Sequence, residues 1–307
     1  AAFSPGKRNW TAGLNVRSSN EVGKAQKTGE RCGLNPFALA ISFADNRAFP
    51  KTKKEITMGY EEILLSKNEA VATISLNRPD KLNAITPTML AELNAAVRDA
   101  GEDENVRTIV LTGEGKAFSA GVDLVSIGDR KIKEGGVGSI LDDPARRLIV
   151  QIETIPKIII AKINGFCFTG ALEIALACDL IAVAEEAKFG DTHSKWGLRP
   201  SWGMSQRLPR AVGMAKAREL SYMAITFTGR EAADWGMTTR CVPRAELDEA
   251  VNALTQTLGE NSGGSLAAYK DLYREAQGRT LYEGLNYEAS TAYVIDDTEE
   301  RVSQFRK

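Results

Sequence analysis

Apolar residues recur along the chain with two spacings, and the changes in spacing mark its predicted elements. Short apolar runs between turn residues predict strands, which lie at 63–77 (two strands around Lys67-Asn68-Glu69), 106–113, 156–165 and 180–186. Apolar residues three and four apart predict helices at 86–103, where a Thr and a Pro mark the start, and at 170–179. Because strands and helices alternate, the pattern predicts an α/β body with crossover connections.

From about residue 208 onward the pattern becomes mainly helical. The segments with helical spacing are "MAKARELSYMA", "REAADWG", "AELDEAVNALTQTLGE", "SLAAYKDLYREAQG" and "LYEGLNYEASTAYV". Helices that present an apolar face after the α/β body is complete need something to cover that face. We therefore expect this region to pack against a neighbouring subunit.

Residues 1–57 differ from the rest of the chain in being polar, basic and without sustained periodicity. They hold 10 basic and 4 acidic residues, whereas the remainder holds 29 basic and 36 acidic residues. Two interpretations are open: a processed organelle-targeting extension, or upstream sequence joined to a body that starts at Met58. We expect the first, with the mitochondrial matrix as compartment and the cytoplasm or the peroxisome as alternatives. The extension is also a candidate for binding a larger protein complex.

Composition argues against several other classes of protein. The longest apolar run, 158–163, contains Lys162 and is far shorter than the roughly 18 residues of a membrane span. One histidine and four cysteines without CxxC spacing do not form a familiar zinc cluster. The basic extension lacks interleaved aromatic residues, so we expect no nucleic-acid binding. We also expect no metal.

Two segments combine small residues, which let a ligand approach the backbone, with backbone N–H groups that can bind a ligand oxygen. After strand 106–113, Ser119-Ala120-Gly121 lets the backbone approach a ligand closely, although an ordinary glycine-rich loop has the same composition. Further on, Thr169 and Gly170 begin an apolar helix whose N-terminus favours a developing oxyanion. Glu173 lies one turn inside, where burial raises a carboxyl pKa and the helix N-terminus lowers it. The alternative is a glutamate that only complements the helix dipole.

The only histidine of the chain, His193, lies in the segment "FGDTHSKWG". A lone histidine in a polar loop is more often a surface residue than a catalytic one. Its neighbours Asp191 and Thr192 either orient the imidazole or cap a turn. These residues alone leave both roles open.

In this order and spacing, several segments of residues 60–307 resemble the crotonase (enoyl-CoA hydratase/isomerase) superfamily. They are "LNRPDKLNAI", "IVLTGEGKAFSAGVDL", "AKINGFCFTGALEIALACDLIAVAEEAKFG", "QRLPRAVG", "GREAADWGM" and "STAYVIDDTEERVSQF". "FGDTHSKWGLRPSWGMSQRL" is most similar to monofunctional enoyl-CoA hydratase-like proteins of plants and actinobacteria. The resemblance implies a ββα spiral core at 58–255 and a helical trimerisation region at 256–307. It also implies a homotrimer, a dimer of trimers or a hetero-oligomer.

The resemblance implies an acyl-CoA substrate, with coenzyme A as part of the substrate and no separate cofactor. The thioester carbonyl would lie in an oxyanion hole made by the N–H groups of Val122 and Gly170. The adenine and pantetheine would lie along Val122, Asp123, Leu124 and Val125. Of the two glutamates that activate water in hydratases of this family, the first matches Glu173 and the second aligns with His193. This chain thus has an imidazole at the position where the family's hydratases have their second carboxylate.

Other positions depart from the family pattern. Thr169 and Ala171 replace glycines on either side of Gly170, and Ser201 replaces the glycine that follows the loop proline. Trp196, Trp202 and Met204 are bulky, and they either reshape the acyl pocket or pack the loop.

The leading hypothesis is hydration of a 2-enoyl-CoA to a 3-hydroxyacyl-CoA. One alternative is an acyl-CoA isomerase or hydrolase, and another is a catalytically weakened structural subunit of a mitochondrial assembly.

Overall fold

The computed structural model describes residues 55–57, 59–126, 128 and 133–306. Of the predicted N-terminal extension only residues 55–57 are described, and its other residues lie outside the described residues, as does Met58. Within the described residues, no helix has both the length and the apolar character that crossing a bilayer demands.

A seven-stranded sheet forms the centre of the described chain. Its strands are β1 (Glu55–Thr57), β2 (Ile63–Asn68), β3 (Val71–Leu76), β4 (Thr108–Gly113), β6 (Ile158–Ile163), β8 (Leu180–Ala184) and β11 (Arg240–Val242), in the order β1-β2-β3-β4-β6-β8-β11. The first three pair antiparallel, and every pairing from β3 onward is parallel. Strand β2 continues through Asn68, so the predicted turn is confined to Glu69 and Ala70, with φ of 51° at Glu69.

A second, four-stranded sheet explains how the chain forms a spiral. Its strands are β5 (Ala117–Ser119), β7 (Phe166–Phe168), β9 (Lys188–Gly190) and β10 (Thr226–Thr228), in the order β10-β9-β7-β5. Each of β4, β6 and β8 leads within two or three residues into β5, β7 and β9 respectively. Every repeat therefore sends one strand to the large sheet and the next to the small sheet, as the resemblance implies. The α/β prediction is confirmed.

Helices complete the repeats and form the C-terminal region. They are α1 (Pro87–Glu102), α2 (Ser139–Thr154), α3 (Gly170–Ala175), α4 (Met204–Val212), α5 (Met214–Met223), α6 (Gly229–Asp234), α7 (Leu247–Glu260), α8 (Gly263–Ala276), α9 (Leu281–Ser290) and α10 (Thr298–Gln304). Helix α1 begins as predicted, with Pro87 in its first turn and the Thr86 hydroxyl accepting a hydrogen bond from the Met89 N–H at 3.0 Å. Its buried face packs against α2.

Several elements differ from the sequence prediction. Helix α2 has no counterpart in it, because Pro144 inside the helix and the glycines before it obscure the helical pattern. Helix α3 ends at Ala175, before the end of the predicted helix 170–179, and the Asp179 carboxylate accepts a hydrogen bond from the Ile159 N–H of β6 at 2.8 Å. Strands β10 and β11 interrupt the region predicted to be helical, and α9 ends at Ser290. The boundary predicted between residues 255 and 256 falls inside α7.

Candidate active site

The loop after β5 contacts the turn that precedes α3, so the two predicted ligand segments are neighbours. Gly121 has φ of 92°, a backbone conformation that residues with a side chain rarely adopt. A Cβ added at Gly121 would lie 2.2 Å from Thr169 Oγ1 and 2.8 Å from the Phe168 carbonyl oxygen. Glycine is therefore required at position 121, both for its positive φ and for the lack of space for a Cβ. Val122, the next residue, is thereby placed close to the start of α3.

Two amide groups at this junction are free to bind a ligand oxygen. Gly121 and Asp123 are fixed by hydrogen bonds to Ile85, at 2.8 Å and 2.9 Å, while the Val122 N–H between them has no acceptor within the described residues. Gly170 is the first residue of α3, so its N–H has no partner inside the helix. Thr169 before it has φ of 45° and ψ of −112°, a strained conformation typical of functional sites. Both predicted oxyanion donors are thus available.

Glu173 lies one turn into α3 and is buried, with 1% of its surface exposed. Its Oε1 accepts hydrogen bonds from the backbone N–H groups of Trp202 and Met204, at 3.0 Å and 2.9 Å. Burial raises the pKa of this carboxyl, although the two amide donors and the nearby His193 act to lower it. The carboxylate is held in one orientation while its second oxygen, Oε2, faces the histidine.

His193 is a partly buried residue of the site and not a surface residue. Its Nδ1 lies 2.6 Å from Asp191 Oδ1, and its Nε2 lies 3.7 Å from Glu173 Oε2. Burial lowers the pKa of His193, but the hydrogen bond with Asp191 and the charge of Glu173 outweigh it, so the pKa is raised. The structure therefore brings together Glu173 and His193, which the sequence aligned with the two acid–base positions of the family.

Asp142 on α2 is a contributor that sequence reasoning missed. This buried carboxylate accepts hydrogen bonds at Oδ1 from the Ser201 hydroxyl at 2.6 Å and from the Trp202 indole Nε1–H at 2.8 Å. It thereby anchors the loop whose amides hold Glu173. The available signal was a charged residue on the buried face of a helix, together with Ala145 and Ile149.

Trp202 also touches the oxyanion donor itself. A Cβ added at Gly170 would lie 2.5 Å from Trp202 Cζ3, so the indole rests directly on the glycine. Trp202 and Met204 are buried in the core, whereas 63% of Trp196 is exposed. Of the two roles open for these bulky residues, Trp202 and Met204 pack the loop, and Trp202 in addition shapes one wall at Gly170.

The residues predicted to contact coenzyme A lie toward the surface. Asp123 accepts a hydrogen bond from Arg78 at 3.0 Å, while Leu124 and Val125 have exposed side chains. Val122 is half-buried against the core. In the described ranges, no group of three or more His, Cys, Asp or Glu side chains is arranged to hold a metal ion.

A family model described as enoyl-CoA hydratase/isomerase matches residues 66–305. The chain belongs to this family. It is 35% identical over 251 residues to "Probable enoyl-CoA hydratase 1, peroxisomal" of Arabidopsis thaliana, covering 80% of this chain and 91% of that protein. It is also 35% identical over 225 residues to "Probable enoyl-CoA hydratase, mitochondrial" of Dictyostelium discoideum, covering 72% of this chain and 78% of that protein.

Solved structures of the family have the same fold. The crystal structure of enoyl-CoA hydratase from Bacillus anthracis superposes with a TM-score of 0.74 at 29% identity, covering 80% of this chain and 96% of that chain. The resemblance inferred from the sequence is confirmed. The roles of Glu173, His193, Val122 and Gly170 remain predictions, which the geometry above supports.

Proposed function

We propose that the protein adds water to a 2-enoyl-CoA and forms a 3-hydroxyacyl-CoA. The observation that carries this proposal is the pairing of buried Glu173 with His193, 3.7 Å apart, near the free N–H groups of Val122 and Gly170. Relatives named as enoyl-CoA hydratases support the same reaction. A catalytically weakened subunit is not favoured, because the family match and the relatives named as enoyl-CoA hydratases support an active enzyme.

The two amides would act on the thioester carbonyl. When the oxygen of water adds to C3, the electron pair of the C2=C3 double bond moves toward the carbonyl, and negative charge grows on its oxygen. Donors at Val122 and Gly170 stabilise that charge more strongly than the neutral carbonyl, and this difference lowers the barrier. Because they are backbone groups, they cost no reorganisation during the reaction.

Glu173 and His193 would move the protons. A separation of 3.7 Å is too long for a direct hydrogen bond and leaves both facing atoms available to a water molecule. His193 takes a proton from water as the hydroxyl adds to C3, and protonated Glu173 gives a proton to C2. Transfer of the proton from His193 back to Glu173 then restores the enzyme, so one water is consumed for each 3-hydroxyacyl-CoA formed.

Incubation of the full chain with crotonyl-CoA and a longer 2-enoyl-CoA tests this function. We expect loss of the conjugated enoyl absorbance and formation of 3-hydroxyacyl-CoA. Product analysis separates the alternatives, since an isomerase shifts the double bond and a hydrolase releases free coenzyme A. Folded protein that binds coenzyme A but hydrates neither substrate would refute the proposal.

We also propose a homotrimer assembled through the C-terminal helices, with a dimer of trimers or a mixed oligomer as alternatives. Exposed apolar side chains on α8, on α9 and directly after α10 support it: Tyr269, Tyr273, Leu281, Tyr282, Leu285 and Phe305. Light scattering of the purified chain tests the mass, and a monomer at micromolar concentration would contradict this assembly.

The proposed compartment is the mitochondrial matrix, with the peroxisome as alternative. Relatives whose names carry each location support these two, and cell fractionation decides between them.

A further inference from the structure

Asp191 connects strand β9 to the pair formed by Glu173 and His193. It directly follows β9, whose Gly190 carbonyl accepts a hydrogen bond from the Thr169 N–H at 2.9 Å. The strand that carries Asp191 is therefore joined to the start of α3. Asp191 is 3% exposed, and its side chain also hydrogen bonds with Ser221 on α5. Such a carboxylate has little freedom to turn away from the imidazole.

We propose that Asp191 is a positioning residue that fixes the tautomer and the ring orientation of His193, so that Nε2 is the nitrogen that exchanges a proton with the reacting water. The catalytic consequence of this assignment rests on the proposed hydratase function. The tautomer itself does not, because it follows from the contacts within the protein.

Asp191 Oδ1 lies 2.6 Å from His193 Nδ1, within hydrogen-bond distance. An ionised carboxylate only accepts hydrogen bonds, so the proton of this contact must be on Nδ1. Burial acts to raise the pKa of Asp191, but the hydrogen bonds with His193 and Ser221 together lower it below its usual value, so the carboxylate is ionised at neutral pH. When the imidazole is neutral, its lone pair is then on Nε2.

The orientation of the ring completes the assignment. With Nδ1 bound to Asp191, Nε2 points toward Glu173 Oε2 at 3.7 Å. The charged groups that act on this imidazole are Asp191 and Glu173, on opposite sides of the ring. A ring rotated by half a turn would present carbon toward Glu173 and would leave the buried Asp191 without its donor. A carboxylate on the far nitrogen of an imidazole is a general means of fixing its tautomer.

A purely structural role is the alternative, because Asp191 Oδ1 also lies 3.4 Å from the His193 backbone N–H, as in a turn. The single histidine makes the two roles separable. Full-length protein labelled with ¹⁵N-histidine has one imidazole, so its two ring nitrogen signals need no assignment to a residue. A protonated and an unprotonated ring nitrogen give clearly different ¹⁵N signals.

Spectra recorded above the imidazole titration give the first test. We expect a protonated Nδ1 and an unprotonated Nε2 in the native protein. We expect a mixture of tautomers, and a titration midpoint moved to lower pH, in Asp191→Asn. Asp248→Asn, which alters an exposed carboxylate on α7, is the control and should leave the signals unchanged. A native protein with the proton on Nε2, or Asp191→Asn spectra identical to native, would overturn the proposal.

Kinetics give the second test. We expect Asp191→Asn to lower kcat about a hundredfold with KM nearly unchanged, because misplacement of a reacting group has costs of this order and Asp191 contacts no substrate. In a His193→Glu background, the same substitution should cost little, since no imidazole remains to be oriented. An equal loss in both backgrounds would show that Asp191 only supports the fold, and would refute the proposal.

The two tests keep this inference apart from the proposed function. If the native protein hydrates no 2-enoyl-CoA, the hydratase proposal fails, while the ¹⁵N spectra still decide whether Asp191 sets the tautomer. If hydration is robust and the spectra show Nε2–H, the hydratase proposal survives and the role of Asp191 is refuted.

Discussion

Glu173 and His193 face each other across the site, but the protein holds them in different ways. Glu173 is held by two backbone amides, those of Trp202 and Met204, about thirty residues further along the chain. His193 is held by one side chain, Asp191, two residues before it. The first arrangement depends on a long-range loop contact, whereas the second is local. The position of Glu173 should therefore tolerate changes in the side chains of Trp202 and Met204, which hold it through their backbones. The position of His193 should not tolerate a change in the side chain of Asp191.

The same difference appears in the electrostatics. Burial raises the pKa of Glu173 while the amides lower it. For His193, burial lowers the pKa while Asp191 and Glu173 raise it above its usual value. The two groups therefore compete for one proton across neutral pH, as a coupled pair. We expect a bell-shaped pH dependence of kcat/KM, in which the pair is active with one proton bound.

The largest effect should come from removing either member of the pair. Glu173→Gln and His193→Gln should each lower kcat by about 10²–10⁴-fold, the usual contribution of general acid–base catalysis. Gln at position 173 keeps an oxygen that accepts from the Trp202 and Met204 amides, so the fold should be retained. Hydration of crotonyl-CoA gives the rate and coenzyme A binding the control. The double variant should be little worse than either single one, and losses that multiply would contradict a pair acting together.

The next effect tests the oxyanion donor. Replacing Gly170 with glycolic acid changes its N–H to an ester oxygen and adds no atom against Trp202. We expect kcat to fall by about 10²–10³-fold, as for loss of one oxyanion donor. Single-turnover hydration of crotonyl-CoA measures it.

Gly170→Ala is the informative companion, because it keeps the N–H but places a Cβ 2.5 Å from the indole. It should lower thermal stability, whereas the ester should not. An ester variant with the native rate would exclude Gly170 from the oxyanion hole.

These predictions use residues that the sequence had already indicated, and the reason is physical. Strand periodicity, the Thr-Pro helix start and the neighbours of the single histidine are local features, so they can be read from spacing. The contact of Asp191 with His193 belongs to this class. Family resemblance supplied the alignment of Glu173 and His193, and the structure places these two side chains together.

What the sequence could not show depends on contacts distant along the chain. Asp142 reaches Trp202 across sixty residues, and nothing in the spacing of either residue indicates the partner. The role of the Trp202 and Met204 amides is also invisible in sequence, since any residue except proline carries an N–H. Helix α2 was missed because Pro144 breaks the expected pattern.

A moderate effect should follow from releasing the loop that holds Glu173. Asp142→Ala leaves the buried Trp202 indole N–H without its acceptor, at about 1–3 kcal/mol, and the partly buried Ser201 hydroxyl also loses its partner, at a smaller cost. Asp142→Asn is the matched control, because its amide oxygen accepts both bonds. We expect a lower Tm and roughly a tenfold lower kcat for Asp142→Ala alone.

The pH profile should respond differently to changes on the two sides of the site. The Trp202 and Met204 amides lower the pKa of Glu173, so loosening them in Asp142→Ala should raise it and move the acid limb of kcat/KM to higher pH. Asp191 raises the pKa of His193, so Asp191→Asn should move the alkaline limb to lower pH. Measured kcat/KM profiles in which both variants move the same limb would contradict the separation of the two sides.

The smallest effect should come from Trp202→Phe. This change removes the indole donor to Asp142 while an aromatic ring remains against Gly170 and the Ser201 hydroxyl still reaches Asp142 Oδ1. Because the Trp202 backbone N–H is untouched, Glu173 keeps both of its donors. We expect kcat within a few-fold of native and a loss of about 1 kcal/mol in the free energy of unfolding. Denaturant titration measures the second quantity, and a loss of kcat as large as that of Asp142→Ala would mean that the indole bond, and not the pair of bonds, holds the loop.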